Sequence, residues 1–183
     1  MTKKRKQQGQ SLMEAIVAIA ILLMVVIAVL ALTISGVTGQ KNNEQQVVAN
    51  NLAREGIELV RNLRDSNWVA GRPWYIGFEQ NSVGLIDYRS TAVDYSIDAS
   101  PQLGFDADGF YAHQPFLSGS PYSRTVQIQA ICFSQSVERI AAVETNCLSS
   151  EQQIGVKVSS TVTWQDDGDI RLVKLEDLLY DWK

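Results

Sequence analysis

From Ala15 to Leu32 the chain is apolar without a break, eighteen residues in a row. That is enough to cross the hydrocarbon of a bilayer as a helix. Further on the pattern turns amphipathic. Val48, Leu52, Gly56, Leu59 and Leu63 recur at spacings of three or four, with Ala49, Ala53 and Val60 beside them. Arg54, Glu55, Glu58 and Arg61 fall mostly on the other faces, where Glu58 and Arg61 are placed to pair at i, i+3. The two patterns join into one expected helix over 10–66, membrane-spanning over about 12–34 and amphipathic beyond. At 1.5 Å per residue it would run roughly 80 Å. Its weak point is Thr33 to Gly39, where two glycines and three hydroxyl residues lower helix propensity. That stretch is either a flexible point or a plain bilayer–water boundary.

After Asn67 the period changes. Gly, Pro, Ser and aromatic residues between Trp68 and Pro121 suggest loops with short strands, one of them over Thr91 to Ile97. The last third alternates as strands do. Val126, Ile128, Ala130 and Cys132 share one face. So do Ile154, Val156, Val158, Val162 and Trp164, with Ser160 as the polar exception. A turn at Gln165–Gly168 leads to a third strand, Ile170 to Leu175, and closes a hairpin. The ending LEDLLYDW, from Leu175, reads as a short capping turn. An antiparallel sheet with one face against the helix is the economical arrangement. The expected class is α+β, with 67–183 as a β-rich globular head.

Charge sets the orientation. Lys3, Lys4, Arg5 and Lys6 precede the apolar run and mark its cytoplasmic side. Beyond the first nine positions twelve basic residues face twenty acidic ones, a net charge of −8. Such a head offers no general nucleic-acid surface, although a local basic patch stays open. Cys132 and Cys147 fall on the extracytoplasmic side, where a disulfide persists. The alternative is two unrelated buried thiols. Their spacing fits no zinc pattern, and the single histidine, His113, is far away in sequence.

One acidic residue, Glu14, stands at the mouth of the apolar run, and such a carboxylate is usually paired and functional. The apolar run is too long for a secretory signal, and no A-x-A cleavage site follows it before Thr33. A plain single-pass anchor accounts for the length but leaves Gly9 and Glu14 without a reason. The leader KKRKQQG, ending at Gly9, followed by QSLMEAIVAIAIL, resembles the class III signal of type IV pilins and pseudopilins. Gln10 departs from the Phe or Met most members carry. LAREGIELVRNLRDSNW, from Leu52, and the stretch from Val156 to Trp182 resemble minor pilins of the PilV type.

The resemblance implies a pilin-like fold and a processing route. Residues 1–9 would be a prepilin leader, cut after Gly9 by a prepilin peptidase, with N-methylation of the new amine at Gln10. Glu14 would face that amine, on its own chain or on a neighbouring subunit. At about 4 Å and an effective dielectric near 20 the attraction is roughly 4 kcal/mol. The implied partners are other pilin subunits through the N-terminal helix, the prepilin peptidase, an inner-membrane assembly platform and the membrane itself. The implied location is single-pass in the membrane, leader inside and head outside, then a cell-surface pilus or pseudopilus.

Other candidates are weighed beside this. Asp106-Ala-Asp108-Gly109 opens like a calcium loop but lacks the further acidic ligands, so an Asp/Gly turn competes. Trp68, Trp74, Tyr75 and Phe78 suit either a binding surface or the junction of helix and sheet. No G-x-S-x-G, H-E-x-x-H or Gly-rich phosphate loop occurs, and His113 reads as a surface residue. The expectation is no enzyme and no cofactor. The rival is a membrane-anchored extracellular adhesin or receptor that never enters a filament.

Overall fold

The structure is a computed structural model. It describes residues 10–78, 82–96, 99–134, 139–141, 147, 151–166 and 168–181. The elements are a helix α1 (Gln10–Val69), then strands β1 (Ser82–Gly84), β2 (Gln102–Phe105), β3 (Tyr111–Ala112), β4 (Ser118–Ser134), β5 (Arg139–Ala141), β6 (Glu151–Asp166) and β7 (Asp169–Tyr180). The class is α+β, a long N-terminal helix and an antiparallel sheet, as expected of a pilin-like architecture.

Packing divides the chain within α1. One compact unit ends at Glu44 and the other begins at Gln45. In the first, residues 12–41 are exposed on every face. α1 is the described helix long and apolar enough to cross a membrane. It runs unbroken through Thr33–Gly39, where the hydroxyls of Thr33, Ser35 and Thr38 donate to the carbonyls of Val29, Ala31 and Ile34 at 2.8–3.1 Å. Back-bonding of this kind gives each hydroxyl an acceptor within the helix itself.

In the second unit α1 stops with a Schellman motif. Gly71 has φ +68°, its amide bonds Trp68 O, and the Arg72 amide bonds Asn67 O at 2.9 Å. The stop signal is therefore this glycine, and the helix runs three residues past the expected 66. Asn67 is buried and its amide donates to Trp74 O and Ile76 O, pinning the loop that follows.

The sheet order is β3-β2-β4-β6-β7, all antiparallel, with β1 and β5 also pairing along β4. β4 and β6 carry the expected alternation. Tyr122, Arg124, Val126, Ile128 and Ala130 all face inward. A register shift between Ile131 and Cys132 then places both of these inside. Gly168 takes φ +95° beside the last β6–β7 pair, Asp166–Asp169, closing the expected hairpin.

Two expectations are corrected. The ending does not cap the sheet. β7 continues to Tyr180, paired opposite Gly155, because Leu175, Asp177 and Leu179 keep the inward alternation. Thr91 to Ile97 is no strand: within it only Asp94 forms a bridge, to Leu85, and Ile97 lies outside the described residues.

Two clusters make the core between α1 and the sheet. Ala49, Leu52 and Ala53 meet Tyr122, Val162 and Trp164. Ile57, Val60 and Leu63 meet Val156, Val158 and Leu179. Between them α1 presses tightly on the sheet at Gly56. A Cβ there would run into Ser160 Oγ and lie 3.2 Å from Arg124 Cδ. The polar exception in β6 is thus the small residue on which the glycine of the helix rests.

Candidate functional site

The N-terminal candidates are placed only in part. Gly9 lies outside the described residues, and Gln10 is the first residue of α1. Glu14 follows about one turn later along α1. Glu14 is the one charged residue between positions 10 and 40. Its neighbours Leu12, Met13, Ile16, Val17 and Ile21 are each more than half exposed. An apolar helix exposed all round needs lipid or other helices to cover it.

In the head, the residue that holds most elements together is Arg124, which is fully buried. Its Nη1 lies 3.1 Å from Glu55 Oε1 and 3.3 Å from Leu52 O, both on α1. Nη2 donates to Ile86 O at 2.8 Å. Its amide donates to Pro101 O, and its carbonyl accepts from His113 Nε2 at 3.2 Å. The guanidinium, whose planar fork of donors suits the task, ties α1 to the loop at Ile86, while the main chain of the same residue holds Pro101 and His113. The inward alternation starting at Val126, extended two residues back, would have found it.

His113 is buried, and the expectation of a surface residue fails. Its Nε2 is committed to the Arg124 carbonyl, which fixes the tautomer with the proton on Nε2. Burial pushes its pKa down, with the Arg124 charge adding to the same direction. It borders a cleft of about 350 Å³ shared with Asp87, Ser90, Asp94 and Ser96. In that cleft two serine hydroxyls are tied to carboxylates, Ser90 to Asp87 and Ser96 to Asp94. The Ser96 hydroxyl and amide hold Asp94 below its ordinary pKa.

Asp106 anchors a turn. Its carboxylate accepts from Tyr88 Oη and from the amides of Asp108 and Phe110, both at 3.0 Å, with Arg89 at 3.5 Å. These donors, the Tyr88 hydroxyl first, lower its pKa. Gly109 follows with φ +82°. Asp108 is exposed. Among the described residues no group of three or more His, Cys, Asp or Glu is placed to hold a metal. The weak calcium candidate is built as an Asp/Gly turn.

Cys132 and Cys147 are bonded as a disulfide, with Cα atoms 5.5 Å apart. In the aromatic group Trp74 is buried, and Trp68 and Phe78 pack against the same core cluster. Tyr75 alone of the four is largely exposed. Three of the four rings therefore seal the junction of helix and sheet. No protein-family model, curated protein or solved structure matches this chain.

Proposed function

We propose that this protein is a structural subunit, a minor pilin or pseudopilin, of a type IV pilus-like filament. Its leader is cut after Gly9, Gln10 is N-methylated, and the apolar half of α1 holds it in the membrane until assembly. The observation that carries this reading is the start of α1. A lone carboxylate, Glu14, sits one turn from Gln10 at the start of an apolar helical stretch that is exposed on every face. A new amine at Gln10 would give Glu14 the partner it needs among apolar helices, where an unpaired charge is strongly destabilising.

The filament core then consists of α1 segments packed on one another, and the pairing of Glu14 with a neighbour's amine sets their register. The head faces outward, where a disulfide persists. Nothing in this role asks for a cofactor or a reaction. The partners are other pilin subunits, the prepilin peptidase and the assembly platform.

The test is mass spectrometry of the N-terminal peptide from native membranes and from sheared surface material. A chain beginning with N-methylated Gln10 in both fractions is the expected result. An intact start near Met1, with nothing in the sheared fraction, leaves a single-pass anchor carrying an extracellular binding head.

A further inference from the structure

β7 ends the sheet, and no described residue pairs with its outer edge. Its outward face reads Ile170, Leu172, Lys174, Glu176, Leu178, Tyr180, with the four apolar members 77, 64, 47 and 38% exposed. These same residues direct their backbone groups to the free edge. The Asp181 amide bonds Ile154 O at 2.8 Å, so the odd-numbered residues face β6 in the alternation of an antiparallel ladder. The even-numbered Leu178 accordingly turns its amide away, to the carboxylate of Asp177.

This row is self-complementary. Two copies of β7 laid antiparallel about Leu175 put Ile170 opposite Tyr180, Leu172 opposite Leu178 and Lys174 opposite Glu176, each pair occurring twice. All six residues have backbone groups aimed at the partner, so every pair falls at a hydrogen-bonded position. The neighbouring registers fail. Centring on Lys174 sets lysine against lysine, and centring on Glu176 sets glutamate against glutamate, which is destabilising in directly opposed pairs.

We infer that the free edge of β7 is a homotypic docking strand that takes the β7 of a second copy of this chain. The symmetry adds a restriction. The two-fold axis of such a pair is normal to the sheet and reverses whatever lies in its plane. α1 from Gln45 onward runs along β7, with the Leu52 cluster beside Val173 and the Ile57–Leu63 cluster beside Leu179. The paired helices therefore run in opposite directions.

The pairing replaces two contacts within the chain, the Leu178 amide with Asp177 and the Tyr180 carbonyl with Arg64 at 3.5 Å. One strand pair is a small interface, below the roughly 1,200 Å² of stable complexes, so each contact is weak and gains by repetition. The contact rests on the head alone, and on neither leader cleavage nor filament entry.

The test uses the full, uncut chain in detergent micelles, with self-association followed by sedimentation velocity at rising protein concentration. The wild type self-associates. Leu172→Lys and Leu178→Glu each weaken association by about tenfold, since each spoils its cross-strand pair twice. The two changes shift net charge in opposite directions, so charge alone cannot explain a loss in both. Combined in one chain they face each other as Lys–Glu pairs and restore association. Both positions are exposed, and an intact Cys132–Cys147 bond in each variant shows that the head has folded. A wild type that stays monomeric, association that ignores both single changes, or a double variant that stays monomeric overturns the inference.

Discussion

The two halves of α1 share one backbone and little else. Residues 12–41 are apolar and exposed all round, while from Ala49 to Leu63 one face is buried and the other carries the charge. The first half has no built-in partner and makes its surface from composition alone. The second half is specified by position: Ala49, Ala53 and Gly56 are small where the sheet comes close, and Leu52, Ile57 and Val60 fill the space between. A helix can thus be held by solvent choice in one stretch and by shape in the next.

The largest effect expected from breaking this contrast is at Arg124. Arg124→Ala leaves Glu55 and the carbonyls of Leu52 and Ile86 without their donor. It should destabilise the head by about 3–5 kcal/mol, from the cavity left by a large buried side chain and the buried carbonyls it deserts, with Glu55 open to solvent and adding little. Ile19→Ala in the first half, where the side chain meets only surroundings, should leave head unfolding in denaturant within about 0.5 kcal/mol of wild type. Equal losses would erase the distinction between the halves.

Next comes the disulfide, which belongs wholly to the head. Cys132→Ser with Cys147→Ser opens a link across 15 residues. The expected loss is about 3 kcal/mol on the chain-entropy model. Melting curves of oxidised and reduced protein give the same comparison without mutation.

Glycine substitutions sharpen the contrast further. Gly56→Leu drives a side chain into Ser160 and Arg124 and should cost about 1–3 kcal/mol of head stability. Gly36→Leu meets nothing within 4 Å. It should instead favour the helix by about 1 kcal/mol, read as helicity by circular dichroism in detergent. Two identical changes twenty residues apart on one helix are expected to have opposite signs.

The smallest effect is with pH. Burial beside Arg124 depresses the pKa of His113, so the folded head binds fewer protons than the unfolded chain below its ordinary value of about 6.5. Stability is complete above that pH and declines as pH falls toward the folded pKa, by at most about 1.4 kcal/mol per unit. Glu176, held down to about 2 by Lys174, Lys157 and Ser159, adds a loss of the same sign at lower pH. His113→Gln should flatten the slope between pH 6.5 and 5 while leaving the acid limb. An unchanged slope would place the titrating group elsewhere.

An even cysteine pair on the expected extracytoplasmic side pointed to the disulfide, and periodicity located α1 and the β6–β7 hairpin, because each depends on near neighbours or on a repeated spacing. It missed Arg124 and His113, since a cation and an imidazole read as surface until the strand alternation is carried back to position 124. It ended the last strand at Leu175, because Glu176 and Asp177 look like a turn. In the structure Glu176 points outward to Lys157 and Lys174, and Asp177 pairs with Arg61, so neither interrupts the ladder.

What the chain determines by itself is local and periodic: an apolar stretch that needs a nonpolar surrounding, a lone Glu14 at its start, and alternation that makes strands. What only the tertiary structure decided is the meaning of residues whose partners lie far away in sequence. Gly56 and Ser160 are ordinary until they touch, and Arg124 becomes central when Leu52, Glu55 and Ile86 close around it. The physical reason is that burial of a polar or small side chain is set by what approaches it, and that approach follows from the packing of whole elements, not from their local pattern.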